Sequence, residues 1–239
     1  MTGWDEHNED QRRYFEERPL PRMVPTRSPY QVRHVEELAR FARLVPGERV
    51  LEIGAGMGRY TLLLAGKGLS LEGMDLSPVL LERLRSYDGG QNPLPLHAFD
   101  VAEPPAEFRG RFDAVIGFFT LHHLHDLRAC YRGMASLLSP GGRVAFLEPN
   151  AWNPLYYLQI TFTPGMTWKG DKGMLEMRRG PVFRAMEAAG FTDLTLERFG
   201  FFPPFLANRP AGRRAERLLE RIPVFRPVLP FQLFGGTLR

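Results

Sequence analysis

Three carboxylates and three glycines are the residues of this chain whose types and spacing point first to chemistry. In VLEIGAGMGRYT, residues 50–61, Glu52 stands two positions before a turn in which Gly54, Gly56 and Gly58 alternate with Ala55 and Met57. A strand that ends in a glycine turn and reopens as a helix holds a nucleotide-like ligand at the strand end, because glycine lets the backbone approach it closely. Asp75 follows 21 positions after Gly54, where a carboxylate accepts both hydroxyls of a ribose, and Asp100 stands where an acid accepts the amino group of adenine. Glu52 narrows the choice, since a carboxylate there repels a pyrophosphate and attracts the ammonium of an amino-acid ligand.

A dinucleotide fingerprint needs glycines at its first, third and sixth positions, and the sixth is Arg59 here; no Gly-Lys-Ser/Thr follows for a phosphate loop. S-adenosylmethionine carries an ammonium and no phosphate, so it suits the set better than a dinucleotide.

The elements that must position these residues are legible from local pattern. SPYQVRHVEELARFARL predicts an amphipathic helix with Ser28 as cap, Pro29 in its first turn and Val32, Val35, Leu38, Ala39, Ala42 and Val45 at helical spacing. Strands are expected within PGERVLEIG, LSLEGMDLS, PLHAFDVAE with its exit loop, FDAVIGFFTLHHL and GGRVAFLEPN, with helices between them, then a sixth strand at TDLTLERFGF and a seventh at FQLFGGTLR. Such alternation predicts an α/β fold: a Rossmann-like, seven-stranded, mostly parallel, doubly wound sheet with an N-terminal helical arm and an insertion after strand five. The expected division is 1–45 for an arm and helix covering the ligand site, 46–150 for the ligand-binding core, 151–180 for an acceptor-binding insertion or lid, and 181–239 for the part completing the sheet.

Composition sets the outer limits. The chain has 239 residues, enough for one decorated α/β domain, and 31 Lys and Arg against 27 Asp and Glu leave an excess too small and too scattered for a nucleic-acid groove. No apolar run is long enough to span a bilayer, and the polar first residues lack the apolar centre of a secretory signal, so a cytoplasmic protein is expected. Cys130 is the single cysteine, no cluster has metal-ligand spacing, and no metal is expected.

Taken in order, VLEIGAGMGRYT, LEGMDLSP, FDAVIGFFTLHHLHD and LLSPGGRVAFLEPN resemble the successive motifs of the class I S-adenosylmethionine-dependent methyltransferases of small-molecule type, over residues 45 to 150. The resemblance implies S-adenosyl-L-methionine as cofactor. Gly54, Ala55, Gly56 and Gly58 would line its methionine part, Glu52 would sit near the amino group, and Asp75 would hold the ribose. Leu76 would lie against the adenine, Asp100 and Val101 at its edge, with Phe118 and Phe119 flanking the cofactor.

Methyl transfer to a hydroxyl needs a base, whereas an amine need only be held neutral. His122, His123 and His125 follow the fourth strand and Glu148 ends the fifth, on the cofactor's edge of the sheet. A histidine there with an acid after strand five resembles the arrangement of sugar O-methyltransferases, which makes His122 or His123 with Glu148 the catalytic candidates. In a helix the two histidines would point about 100° apart, so only one is expected to face the cleft.

Tyr14 and Tyr30 from the arm, and Trp152, Tyr156, Tyr157, Phe162 and Trp168 after strand five, are candidates for an aromatic lid over the acceptor. The expected activity is O-methylation of a hydroxylated metabolite or sugar. N- or C-methylation of a small or lipid-linked acceptor, and a non-catalytic S-adenosylmethionine-binding partner protein, remain as alternatives. Finally, RPAGRRAERLLERI is read as an amphipathic helix packed on the sheet, and weak association with a membrane surface, without stable insertion, is its alternative.

Overall fold

The computed structural model describes residues 3–17, 21–154, 156–157 and 172–239. Strands β1 (Arg49–Ile53), β2 (Ser70–Asp75), β3 (Leu96–Ala98), β4 (Phe112–Phe118), β5 (Leu138–Pro149), β6 (Phe191–Phe199) and β7 (Phe231–Leu238) form one sheet in the order β3-β2-β1-β4-β5-β7-β6. The first five pair parallel, and β7 runs antiparallel to both β5 and β6. The mixed, mostly parallel sheet expected from the alternation is therefore present. Strand order reverses between β1 and β4, which opens a crevice beyond their carboxyl ends.

Helices cover both faces, and residue parity in the strands decides which face each side chain serves. Leu51, Ile53, Val115 and Phe146 face one core with α5 (Leu127–Leu137) and α6 (Arg179–Ala188). Val50, Ala114, Ile116 and Leu147 face the other with α2 (Pro29–Phe41) and α3 (Thr61–Ala65). Phe146 is fully buried, so its truncation to Ala is a cavity mutation costing about 3–5 kcal/mol. The edge strand β6 alternates half-buried and exposed positions between buried ends, and a bulge at Asp193, with φ of 51°, breaks its register with β7.

Capping follows the local sequence. Ser28 and Gln31 form a capping box at α2, Ser77 accepts the Leu80 N–H at α4 (Pro78–Asp88), and Asp126 accepts two N–H groups at α5.

Three local expectations change. Residues 3–16, given no element of their own within the expected arm, form helix α1 (Gly3–Glu16), whose Asn8 and Glu16 reach Asp100 and Ser77 beyond the ends of β3 and β2. Helix α2 ends at Phe41 and Arg43 adopts φ of 54°, so Val45 leaves the helical period and stands 54% exposed. The segment after β4 is a single 3-10 turn, Leu121–His123, rather than the start of α5.

Candidate functional site

The glycine turn crosses the end of β1 with φ of 73° at Gly54, 52° at Gly56 and 90° at Gly58, a region costly for any side chain. A Cβ on Gly58 would lie 2.8 Å from Leu84 of α4, and one on Gly54 would overlap Thr120, so the turn is wedged between two neighbouring elements. The Gly54 and Ala55 N–H groups both donate to Met74 of β2, at 2.9 and 3.0 Å. Asp75 then staples the turn to the end of β2, accepting the Gly56 N–H at 2.8 Å and the Ser77 N–H at 2.9 Å. Burial raises the Asp75 carboxyl above its ordinary range, and these backbone N–H groups hold it part of the way back.

Glu52 lies below the turn, 2% exposed, with one carboxylate oxygen buried and without a hydrogen-bond partner. Desolvation pushes this carboxyl up to about 8, Asp75 adds repulsion, and a hydrogen bond from Thr61 works the other way. A buried bare carboxylate oxygen is costly unless a cation or donor joins it, so the position suits an ammonium group.

Asp100 is already engaged. Its Oδ1 accepts the Ala102 N–H at 2.8 Å and its Oδ2 accepts the Asn8 amide at 2.6 Å. Helix α1 makes other contacts along this edge. Ser77 donates to Glu16 at 2.5 Å, Arg83 donates to the Glu16 carbonyl at 3.1 Å, and the His7 ring lies 3.0 Å from the His123 carbonyl oxygen. Leu76 is half-buried beside Ser77, while the Val101 side chain is buried in the core under α5.

At the neighbouring strand ends, β4 and β5 bring His122 and Glu148 together. Their side chains approach to 2.6 Å between Nδ1 and Oε2, both nearly solvent-free. Glu148 Oε1 accepts the N–H groups of Thr120 and Leu121 at 2.8 and 2.7 Å, so both of its oxygens are bonded. With Nδ1 held by the carboxylate, His122 keeps Nε2 as its second functional nitrogen. His123 is half-buried, and its ring lies beside His122, centroids 4.0 Å apart, and edge-on to Phe15 at 5.2 Å. The 3-10 turn therefore sets the two rings side by side instead of on separate helix faces. Gly173 closes on this turn so tightly that a Cβ would overlap the His122 carbonyl.

The predicted aromatic lid does not assemble as one surface among the described residues. Tyr30 packs on His34 at 4.4 Å, Trp152 stands 60% exposed, and the Tyr157 hydroxyl donates to the Ala151 carbonyl at 2.6 Å. Tyr14 lies edge-on to Phe15 in α1, Tyr156 sits half-buried beside Asn153, and Trp168 and Phe162 lie outside the described residues.

A different aromatic group is present instead. Phe118 stacks on Tyr60 at 4.4 Å, and buried His34 meets the Tyr60 hydroxyl at 3.1 Å, with Phe119 and Phe231 against its ring. Burial drives the His34 imidazole well below its ordinary range, with Arg59 and Arg33 adding to the effect. Arg59 contributes a guanidinium whose Nε is buried without a hydrogen-bond partner. His34, Arg59, Tyr60 and Phe231 were missed from sequence; only Arg59 and Tyr60, directly after the glycine turn, carried a positional signal.

The family described as Methyltransferase domain matches residues 27–196. A ubiquinone biosynthesis O-methyltransferase of Chromobacterium violaceum is 29% identical over 192 residues, covering 78% of this chain and 79% of that relative. One from Xanthomonas axonopodis pv. citri is 35% identical over 131 residues, covering 54% of this chain and 51% of the relative, so the match spans about half of that protein. Among solved structures, a geranyl diphosphate C-methyltransferase from Streptomyces coelicolor A3(2), in complex with Mg2+, geranyl diphosphate and S-adenosyl-L-homocysteine, shares the fold. Its TM-score is 0.64 at 15% identity, covering 98% of each chain.

Proposed function

The chain belongs to the methyltransferase domain family, and we propose that it transfers a methyl group from S-adenosylmethionine to a hydroxyl oxygen of a small-molecule acceptor, a hydroxylated metabolite or sugar. The observation that carries the choice of oxygen is the buried His122–Glu148 pair, 2.6 Å apart. O-methyltransferases among the relatives support the same choice.

The residues present fit the cofactor. The bare oxygen of Glu52 suits its ammonium, and the glycine turn leaves backbone rather than side chains beside the methionine part. Asp75 suits the ribose and Asp100 the adenine amino group, whose place as a donor the Asn8 amide takes here. When bound, S-adenosylmethionine supplies an electrophilic methyl on a sulfonium.

The protein's own part is to align the acceptor and remove its proton. Glu148 accepts a hydrogen bond from the His122 Nδ1–H, which leaves the Nε2 lone pair to take the acceptor's hydroxyl proton as its oxygen is methylated. The sulfonium would keep the electron pair of the carbon–sulfur bond as the methyl leaves it, and Glu148 would stabilise the imidazolium that results on His122. His34, Phe119, Phe231 and Tyr30 form an aromatic cluster that would suit the body of the acceptor.

The test is calorimetric titration with S-adenosylmethionine followed by turnover with a panel of phenolic and sugar hydroxyl acceptors. His122→Ala is expected to bind the cofactor normally and to lose about a hundredfold or more of turnover. Full turnover in that variant would remove the base assignment, and absence of cofactor binding by the native chain would remove the reading altogether.

A further inference from the structure

Among the described residues, five of the ten exposed large apolar side chains fall between positions 205 and 228, which marks this stretch as a surface of its own. Phe205 is 67% exposed, Leu218 63% and Val224 74%, with Ile222 and Val228 also exposed. They lie on α7 (Pro204–Ala207), α8 (Pro210–Leu219) and the 3-10 turn Pro223–Val228. The expected packing of this helix's apolar face on the sheet is not what the structure has.

Helix α8 turns Glu216 inward and Leu218 outward, with Leu219 half-buried between them. Glu216, 2% exposed, accepts the N–H groups of Phe201 and Phe202 at 2.8 and 2.9 Å, and Glu220, one turn on, accepts that of Gly200 at 2.6 Å. Both glutamates also bind Arg33 of α2. This anchoring fixes the helix's rotation, because residues four apart share a face. The outward half then presents Arg214, Arg217 and Leu218, followed by Arg221 and Ile222, all exposed. The only acids from Phe205 to Val228 are those two inward glutamates, set against six arginines.

We propose that this surface docks the protein onto an anionic phospholipid bilayer. Charge complementarity selects the partner, since the outward face is basic and the two acids of this stretch are turned inward onto Arg33. A bilayer interface accepts single protruding aliphatic side chains without a matching pocket, and each basic residue near an anionic surface adds attraction. The docked face adjoins the site: the Tyr30 N–H donates to Asn208 at 2.9 Å, and Arg33 joins α2 to α8. If the proposed function holds, an apolar acceptor would reach the aromatic cluster from the membrane side; the docking itself does not depend on that reading.

The experiment is co-sedimentation of the full chain with vesicles of phosphatidylcholine alone and of phosphatidylcholine mixed with phosphatidylglycerol, at low and high salt. Binding is expected only to the anionic vesicles, and to weaken with salt. Leu218→Glu with Val224→Glu should abolish it, and the triple change Arg214→Gln, Arg217→Gln, Arg221→Gln should weaken it on the order of a hundredfold. All five positions are exposed, so thermal melting should be unchanged and methyl transfer to a soluble acceptor retained. No binding to anionic vesicles, or equal binding by the Leu218/Val224 variant, overturns the proposal. A dimer in light scattering that this variant abolishes, without vesicle binding, would assign the surface to a second copy of the chain.

Discussion

Glu52 and Glu148 end neighbouring parts of one sheet, at 2% and 0% exposure, yet their surroundings are opposite. Glu148 has both oxygens bonded, by two backbone N–H groups and by His122. Glu52 keeps one oxygen without a partner and is pushed up to about 8. A carboxylate whose bonds are complete within the protein orients another residue. One left incomplete suits an external cation, whose arrival would offset its desolvation.

The largest expected effect comes from Glu148→Gln. A glutamine can still accept the Thr120 and Leu121 N–H groups, but its NH2 would face His122 Nδ1, moving the ring proton to Nε2. Turnover should fall about a hundredfold or more with cofactor affinity near native, read by single-turnover kinetics beside calorimetry. Loss of affinity with turnover intact would erase the distinction between the two carboxylates.

Glu52→Gln should do the reverse and weaken S-adenosylmethionine binding by about ten- to a hundredfold, the range of one charge-assisted hydrogen bond. An unchanged affinity would show that the bare oxygen does not meet the ammonium.

Glu52 also makes stability pH-dependent. Its folded-state value of about 8 lies above the ordinary 4.5, so between the two the folded chain binds more protons than the unfolded one. This contribution is fully present below the unfolded value and is lost as pH rises through the folded one, with a limiting slope of about 1.4 kcal/mol per pH unit. Urea midpoints of the ligand-free protein should therefore decline across this window, and the decline should flatten in Glu52→Gln. A parallel decline in both proteins would place its source elsewhere.

The smallest effect belongs to Asn8. Its amide donates to Asp100 at 2.6 Å, and Asn8→Ala should tighten adenosyl-ligand binding by a few-fold by removing that competing bond. Weaker binding would instead make α1 part of the binding surface.

Much of the core was legible because its signals are local. Ser28, Ser77 and Asp126 cap their helices through their own neighbours, and the glycine turn needs only the residues that form it. The aromatic cluster around His34 was far less legible. His34 sits at a helical position that any apolar residue would suit, and only packing shows that it meets Tyr60, 26 positions away. Helix α1 is mostly polar in sequence, and its residues are held by distant partners such as Asp100, 92 positions from Asn8.

The strand alternation, the glycine turn and the order of Glu52, Asp75 and Asp100 were determined by sequence alone, since each rests on backbone geometry within a few residues. Tertiary structure decided that His122, rather than His123, would meet Glu148, because parallel pairing of β4 with β5 sets that register. It also decided which side of α8 faces outward. Arg33 lies on another helix and the Gly200, Phe201 and Phe202 N–H groups precede α7, so the partners that turn Glu216 and Glu220 inward are ones that no periodicity within α8 contains.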